Sequence, residues 1–251
     1  MKQVWTCTGA ATLALLTAPA AAQTAPPAPI TVTGGATLVT DYRFRGLSQT
    51  DRSVAVQATA TVQHRSGFYV SFWGSSIDDY VANGSDAELD LIGGYRKTFG
   101  GTAVDGGVLY YVYPHNGGAK TDFFEPYLSL SHTIGPVSAK LGGNVAWKQR
   151  GLGLTGDRRR GEYLYGELSA GIPTTPATLT GHLGHSFERN YITFGERYTD
   201  WSVTAAVVVK QVTLGVAYVD TNKRLFSYPA GGGHNKDVAK GAVVGSVGFS
   251  F

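Results

Sequence analysis

The sequence ends in the stretch Val243-Val244-Gly245-Ser246-Val247-Gly248-Phe249-Ser250-Phe251. Apolar side chains occupy its odd positions, and small or polar side chains occupy most of its even positions. Successive side chains of an extended chain point to opposite faces, so this alternation predicts a strand with one apolar and one polar face. In a soluble sheet the apolar face meets a core, whereas in a bilayer it meets lipid.

The composition favours a chain made almost entirely of strands. It contains 34 glycines and 14 tyrosines, and only 16% of its residues are charged. Beyond the amino-terminus no segment has 18 consecutive apolar residues, which excludes a membrane-spanning helix, and no long segment repeats apolar residues at helical spacing. The formal net charge of +3 gives no reason to expect a nucleic-acid partner. We therefore predict an all-β protein.

The amino-terminus has the parts of a secretory signal peptide. Lys2 supplies a positive charge, residues 10–18 form a short apolar run, and Ala20-Ala21-Ala22 supplies a small-residue cleavage site. We expect cleavage after Ala22. The single cysteine, Cys7, lies in this leader, so we expect no thiol chemistry in the mature chain.

Twelve alternating segments follow, separated by turn signals. We predict strands at residues 34–47, 53–65, 67–78, 86–98, 102–113, 122–134, 136–148, 160–172, 176–188, 199–210, 211–221 and 239–251. Every second connection is minimal, such as Ser66-Gly67 and Gly135-Pro136. Most others are long and polar, such as residues 149–159 and 222–238, with residues 48–52 the shortest of them. This alternation is typical of outer-membrane barrels, which have short periplasmic turns and long extracellular loops.

The two faces of the strands differ in polarity. In the second strand Val56 and Val62 alternate with Gln57 and Gln63. A charge that faces lipid near mid-membrane costs about 2–4 kcal/mol, so the polar faces are assigned to the interior. A polar interior does not fit a β-sandwich, but it fits a closed barrel without free edges. We therefore predict an antiparallel transmembrane β-barrel of about twelve strands, with both termini in the periplasm. The predicted domains are a signal peptide (1–22), a periplasmic tail (23–33) and the outer-membrane barrel (34–251).

The terminal aromatic residues predict a location and partners. An aromatic carboxy-terminus after an alternating strand is typical of the last strand of bacterial outer-membrane barrels. Phe249 and Phe251 are therefore predicted to be the insertion signal read by the barrel-assembly machinery. Outer-membrane lipids and lipopolysaccharide are the other expected partners. The loop arginines Arg158-Arg159-Arg160 fit lipopolysaccharide phosphates and fit an ordinary solvated loop equally well.

Three stretches carry a family resemblance. They are Asp41-Tyr42-Arg43-Phe44-Arg45-Gly46-Leu47-Ser48-Gln49-Thr50, Ser66-Gly67-Phe68-Tyr69-Val70-Ser71-Phe72-Trp73-Gly74-Ser75, and Glu88-Leu89-Asp90-Leu91 followed by Gly93-Gly94-Tyr95-Arg96. Over residues 38–96 the chain resembles the TorF-type porins of proteobacteria, and after that segment only general barrel patterning remains. The resemblance implies a porin-like outer-membrane barrel. It implies no defined solute and no catalytic or binding residue.

Charged side chains on the interior faces are the candidate pore lining. They are Asp41, Arg43, Arg45, Glu88, Asp90, Arg96, Asp105, Glu125 and Lys140. The first three are predicted to share one face of the first strand. Such charges either select solutes at a constriction or brace a narrow barrel from inside, and the sequence leaves both interpretations open.

Three functions fit this architecture. The first is a porin that passes small hydrophilic solutes by passive diffusion, and the second is a non-conducting structural or surface-interaction barrel. The third, an outer-membrane enzyme, is disfavoured because no catalytic constellation is evident. His182 faces inward, but no acid is fixed beside it by spacing. No histidine or cysteine spacing suggests a metal, so we expect no cofactor and no metal.

Overall fold

The computed structural model describes residues 28–227 and 235–251, together with the backbone of two short paired strands, Val4–Thr6 and Ala14–Leu16. The predicted cleavage site at Ala20-Ala21-Ala22 lies outside the described residues.

Twelve antiparallel strands form one closed barrel, in which successive strands along the chain are neighbours in the wall. They are β1 (Ile30–Val39), β2 (Ala55–His64), β3 (Phe68–Ser76), β4 (Ala87–Phe99), β5 (Thr102–Val112), β6 (Phe123–Ile134), β7 (Val137–Gln149), β8 (Arg159–Gly171), β9 (Ala177–Ser186), β10 (Tyr198–Val209), β11 (Val212–Thr221) and β12 (Ala242–Ser250). The last strand pairs with the first, with Ser246 opposite Val39 and Ser250 opposite Gly35. The predicted all-β fold and its strand number are confirmed.

Helical structure among the described residues is limited to one 3-10 turn, Tyr191–Thr193, in the connection between β9 and β10. None of the described helical structure has the length or apolar character needed to cross a bilayer.

The wall shows the predicted alternation of faces. In β2, Val56 and Val62 are 59% and 47% exposed, whereas Gln57 is only 2% exposed because it points into the barrel. One position of β7 departs from this alternation. The register shifts between Ala146 and Gln149, and this irregularity leaves Lys148 exposed instead of facing inward.

The barrel has one end with short turns and one end with long loops. The turn end carries residues 65–67, 100–101, 135–136, 172–176 and 210–211. The loop end carries residues 40–54, 77–86, 113–122, 150–158, 187–197 and the described parts of the last connection, 222–227 and 235–241. Connection length therefore alternates as predicted, except that the first loop is long.

Strand β1 differs from the prediction at both ends. It begins at Ile30, inside the segment predicted to be a periplasmic tail, and it ends at Val39 instead of at residue 47. Arg45 and Gly46 have φ angles of +48° and +82°. These left-handed conformations make a tight turn and are incompatible with an extended strand. The wall therefore ends before this turn, and Asp41, which we predicted on the strand, lies in the loop.

The first loop folds back into the barrel. Arg43–Phe44 pairs with Leu47–Ser48 in a small hairpin, and every residue from 41 to 50 except Arg45 is buried. We call residues 41–50 the lumen hairpin. Its aromatic residues join wall residues in a buried apolar cluster that includes Tyr42, Phe44, Tyr111 and Phe123. The described apolar core of this molecule thus lies inside the barrel.

Other loops cover the lumen hairpin at the loop end. Tyr80 donates its hydroxyl to the carbonyl of Ser48 at 2.7 Å, and the N–H of Ser48 donates to the carbonyl of Val238 at 2.8 Å. Lys236 pairs with Asp78 at 2.7 Å. The hairpin is therefore held by the other loops at the loop end as well as by the barrel wall.

Candidate functional site

The tip of the lumen hairpin reaches the barrel wall through Arg45. Its Nη2 lies 2.7 Å from Oε2 of Glu125, which is on β6. The guanidinium also lies 4.7 Å from the ring centroid of Phe44 and 4.3 Å from that of Tyr163 on β8. These contacts remove a charged side chain from water while giving it a counter-charge and two aromatic faces.

Glu125 is held by the two neighbouring wall strands and by the turn of the lumen hairpin. Its Oε2 accepts hydrogen bonds from the hydroxyl of Tyr111 and from Nδ2 of Asn144, both at 3.0 Å, in addition to the bond from Arg45. Its Oε1 is buried without a partner among the described residues. This set of contacts fixes the carboxylate as the anchor of the hairpin tip.

Asp41 and Arg43 brace the base of the hairpin. Nε of Arg43 lies 2.6 Å from Oδ2 of Asp41, and Ser48 donates to Oδ1 of the same carboxylate at 2.6 Å. Nη1 of Arg43 donates to the carbonyl oxygens of Gly46 and Lys240, at 3.1 and 3.0 Å. These two predicted pore residues therefore hold the hairpin to itself and to the last loop.

Glu88 and Asp90 lie side by side on the inner face of β4, but only one of them has partners. Glu88 accepts from the hydroxyl of Tyr42 at 3.1 Å, and the Tyr42 ring lies 5.4 Å from that of Trp73. Asp90 is fully buried, and neither of its carboxylate oxygens has a hydrogen-bond partner among the described residues.

The other predicted pore residues lie nearer the turn end. Nε of Arg96 lies 2.9 Å from Oδ2 of Asp105, and the hydroxyl of Tyr69 donates to the other oxygen of Asp105 at 2.8 Å. The ammonium of Lys140 lies 5.6 Å from the centroid of Tyr165. All three charged residues lie on the inner face of the wall, and the Arg96–Asp105 pair is separate from the hairpin contacts.

A second polar network was missed from the sequence. His182 on β9 lies between two carboxylates, with Nδ1 3.3 Å from Glu167 and Nε2 3.0 Å from Asp200. The hydroxyl of Tyr163 lies 3.0 Å from Nε2 of the same histidine. Sequence spacing gives no acid beside His182, because the acids come from the neighbouring strands β8 and β10. The available signal was that Glu167 and Asp200 both occupy inward-facing positions in the alternation of their strands.

This network borders a cavity of about 150 Å³ on one side of the hairpin tip. Gly46 closes the cavity against the wall. A Cβ atom at this glycine would lie 2.6 Å from Cγ2 of Thr221 and 2.7 Å from Cβ of Asp200. Only glycine allows the backbone to approach β10 and β11 so closely, and its φ of +82° also favours glycine.

The lumen therefore has the properties of both a filter and a brace. It is lined by charged groups, and the hairpin crosses it between β1 and the far wall. Among the described residues no three histidine, cysteine or acidic side chains are arranged to hold a metal ion. The His182 imidazole is engaged by two carboxylates and a tyrosine, and none of its hydrogen-bond partners among the described residues is a serine.

Solved structures with a similar fold include porins. The fold is similar to that of the KdgM porin, with a TM-score of 0.55 and 11% identity over 88% of this chain and 98% of that chain. It is also similar to that of the NanC porin, with a TM-score of 0.54 and 13% identity over 88% and 99% of the two chains. Another similar structure is the KdgM porin in complex with disordered oligogalacturonate. At these low identities the structural similarity shows a shared fold alone, that of the outer-membrane porin barrels.

Sequence comparison gives a family. A search of curated proteins finds no match. The TorF-type resemblance of residues 38–96 is not confirmed by these comparisons and stays a prediction. Residues 22–251, a range that includes the whole barrel, match a family described as a bacterial protein of unknown function, Gcw_chp. The chain therefore belongs to the Gcw_chp family of bacterial proteins.

Proposed function

We propose that the protein is an outer-membrane channel through which small hydrophilic solutes diffuse passively, and that the lumen hairpin sets its conductance. One observation carries the proposal. A closed wall with an apolar outer face encloses a charged interior, and the lumen hairpin folds into that interior and pairs with the wall through Arg45 and Glu125. A closed barrel satisfies every wall hydrogen bond, so it suits the hydrocarbon of a bilayer.

The same proposal gives the protein an orientation and a route. The turn end faces the periplasm and the loop end faces outward, as in other outer-membrane barrels. Residues 1–22 direct export and are removed, and the barrel-assembly machinery inserts the mature chain. No catalytic residue and no cofactor belong to this function.

Lumen charges suggest which solutes pass. Interior carboxylates outnumber interior cations, even when His182 is counted as positive. The carboxylates are Asp41, Glu88, Asp90, Asp105, Glu125, Glu167 and Asp200, and the cations are Arg43, Arg45, Arg96 and Lys140. A narrow, low-dielectric wall focuses this negative field. We therefore infer that the channel prefers cations and neutral solutes to polyanions such as oligogalacturonate, which is bound in a KdgM porin structure.

Planar-bilayer recording of the refolded full chain tests the proposal. Variant A replaces residues 41–50 with a glycine–serine linker of equal length, and variant B replaces residues 115–120, in an outer loop, in the same way. Circular dichroism and heat-modifiable gel mobility report whether each barrel is folded. We expect the parent and variant B to conduct equally and variant A to conduct several-fold more.

A non-conducting barrel is the second candidate, and the contacts of Arg45 and Gly46 across the lumen favour it. It predicts no conductance in the parent and measurable conductance in variant A. Folded barrels that conduct in neither form would overturn the channel and would also show that the lumen hairpin is not what blocks the barrel.

Ion preference is measured in the same bilayers. In a potassium chloride gradient the reversal potential should indicate cation preference. The double variant E167Q/D200N should reduce that preference, because both carboxylates border the lumen cavity. A parent that prefers anions would contradict the inferred role of the lumen charges.

A further inference from the structure

The outer rim of the barrel at the loop end carries a concentration of positive charge. The loops of residues 150–158 and 187–197, with the adjoining ends of β7 and β8, surround a cleft of about 320 Å³. We call its cations the rim cluster: Lys148, Arg158, Arg159, Arg160, Arg189 and Arg197. The carboxylates that line the cleft are Asp157 and Glu188.

These carboxylates neutralise only part of the rim cluster. Asp157 pairs with Arg159 at 2.7 Å, and Glu188 pairs with Arg160 at 2.8 Å. Within the described part of the chain, Lys148, Arg158 and Arg197 make no ion pair, and all three are exposed. The cleft therefore keeps unneutralised cations whose donors are available to an anion.

The position of the cleft on the wall indicates where that anion lies. Trp147 directly precedes Lys148, is 54% exposed on the outer face and stacks on Phe124 with 6.0 Å between ring centroids. Phe187, next to Glu188, is also exposed on this face. Exposed aromatic rings on a membrane barrel lie at the boundary between hydrocarbon and water. The rim cluster is thus at the level of the lipid headgroups on the loop side.

Arginine forks match phosphate oxygens in geometry and charge. We propose that the rim cluster is a binding site for the phosphate groups of lipopolysaccharide, the phosphorylated glycolipid of the leaflet that the loop end would face. The site rests on the membrane orientation given under Proposed function. It lies outside the lumen, so its occupancy does not depend on conduction.

The test compares three forms of the refolded full chain in detergent. The site variant K148A/R158A/R197A removes the three cations that have no ion pair, so that no carboxylate loses its partner. The control variant R65A/K97A/K210N removes three exposed cations at the turn end. The probes are diphosphorylated lipid A, the same lipid A after enzymatic removal of both phosphates, and inorganic phosphate.

Diphosphorylated lipid A should bind the site variant at least about tenfold more weakly than the parent, because the variant lacks three cations that would donate charged hydrogen bonds to the phosphates. It should bind the control variant as it binds the parent, and dephosphorylated lipid A should bind all three forms equally weakly. Equal binding of diphosphorylated lipid A to parent and site variant would overturn the proposal. Full displacement by millimolar inorganic phosphate would also overturn it, because it would show a small-anion site instead of a lipid site.

Bilayer recording of the site variant separates this proposal from the channel function. Parental conductance together with lost lipid A binding supports the rim site and leaves the channel unaffected. Absent conductance in every form, with lipid A binding that is lost only in the site variant, would contradict the channel alone.

Discussion

At the residue scale, the lumen depends on how buried charges are compensated. Arg45 has a carboxylate and two aromatic rings, whereas Asp90 has no described hydrogen-bond partner for either oxygen. A buried charge without a partner lowers the stability of the fold by several kcal/mol, whereas a buried ion pair with good hydrogen bonds has a net free energy near zero. The two positions should therefore respond in opposite ways to neutralisation.

Replacement of Arg45 should destabilise the barrel. R45A leaves Glu125 buried without its counter-charge, so we expect a loss of about 3–5 kcal/mol in the free energy of unfolding. The double variant R45A/E125Q should recover much of that loss, because no uncompensated charge remains. Reversible urea unfolding in lipid vesicles measures both values. Equal stability of the single and double variants would contradict the pairing.

Neutralisation of Asp90 should stabilise the barrel. D90N keeps the shape of the side chain and removes a negative charge that lies among Glu88, Glu125 and the buried hairpin. We expect a higher urea midpoint for D90N. The matched variant D105N should have a lower midpoint, since Asp105 accepts bonds from Arg96 and Tyr69. A lower midpoint for D90N would indicate that its carboxylate has a partner beyond the described contacts.

At the element scale, the closing strand matters most, because β12 is the last wall strand and seals the barrel against β1. Phe251 extends the seam: its N–H donates to the carbonyl of Gly34 at 2.9 Å, and the N–H of Gly34 donates to the carbonyl of Phe251 at 3.1 Å. The Phe251 side chain is 72% exposed on the outer face.

Deletion of Phe251, or its replacement by aspartate, should lower the amount of protein in the outer membrane. The change removes an apolar group from the lipid face and, in the deletion, two backbone hydrogen bonds of the seam. The control F226S changes an exposed phenylalanine at the loop end, away from the seam between β12 and β1. Quantitative immunoblotting of outer-membrane fractions gives the result, and parental levels of both Phe251 variants would remove the proposed insertion signal.

The loop of residues 150–158 should be sensitive to acid. Asp157 accepts from Nε of Arg159 at 2.7 Å and from the N–H of Leu154 at 2.9 Å. The bond from Arg159 is the main reason that the pKa of Asp157 lies below its usual value of 3.8, with backbone hydrogen bonds adding to the effect. Because the folded-state pKa is lowered, the ionised form stabilises the loop fully above pH 3.8, and this contribution disappears as the pH falls through the lowered value.

Hydrogen exchange, corrected for the intrinsic rate, should show residues 150–158 protected at pH 5 and less protected at pH 2.5. The variant D157N should be less protected at both values. Protection that is independent of pH in the parent would show that Asp157 does not hold the loop.

At the scale of the whole molecule, the alternation of side chains along each strand decides which of them face lipid and which face the lumen. Val203 is 52% exposed on the outer face of β10, whereas the adjacent Thr204 borders the lumen cavity. V203R should cost about 2–4 kcal/mol because it places a charge in lipid. T204R should cost less, because its guanidinium meets a polar interior. Unfolding in vesicles compares them, and equal losses would contradict the assigned faces.

Much of this architecture follows from local pattern. Alternation of apolar and polar side chains identifies the strands, and turn residues separate them. The polar face must be the inner one, because a charge that faces lipid is too costly. The seam residues of β12 and the inward position of Glu88, Asp90 and Glu125 follow from the same parity. These features depend on neighbouring residues along one strand, so the sequence by itself determines them.

The contents of the lumen were decided by tertiary structure. The stretch from Asp41 to Leu47 alternates like a strand, but its turn at Arg45 and Gly46 folds it inward, where Glu125 receives the arginine. Likewise, Glu167 and Asp200 meet His182 only because three strands stand side by side. Sequence alternation fixes which face a side chain occupies, whereas closure of the barrel fixes the distance between residues far apart in the chain. Ion pairs across the lumen depend on that distance, and so only the closed barrel determined them.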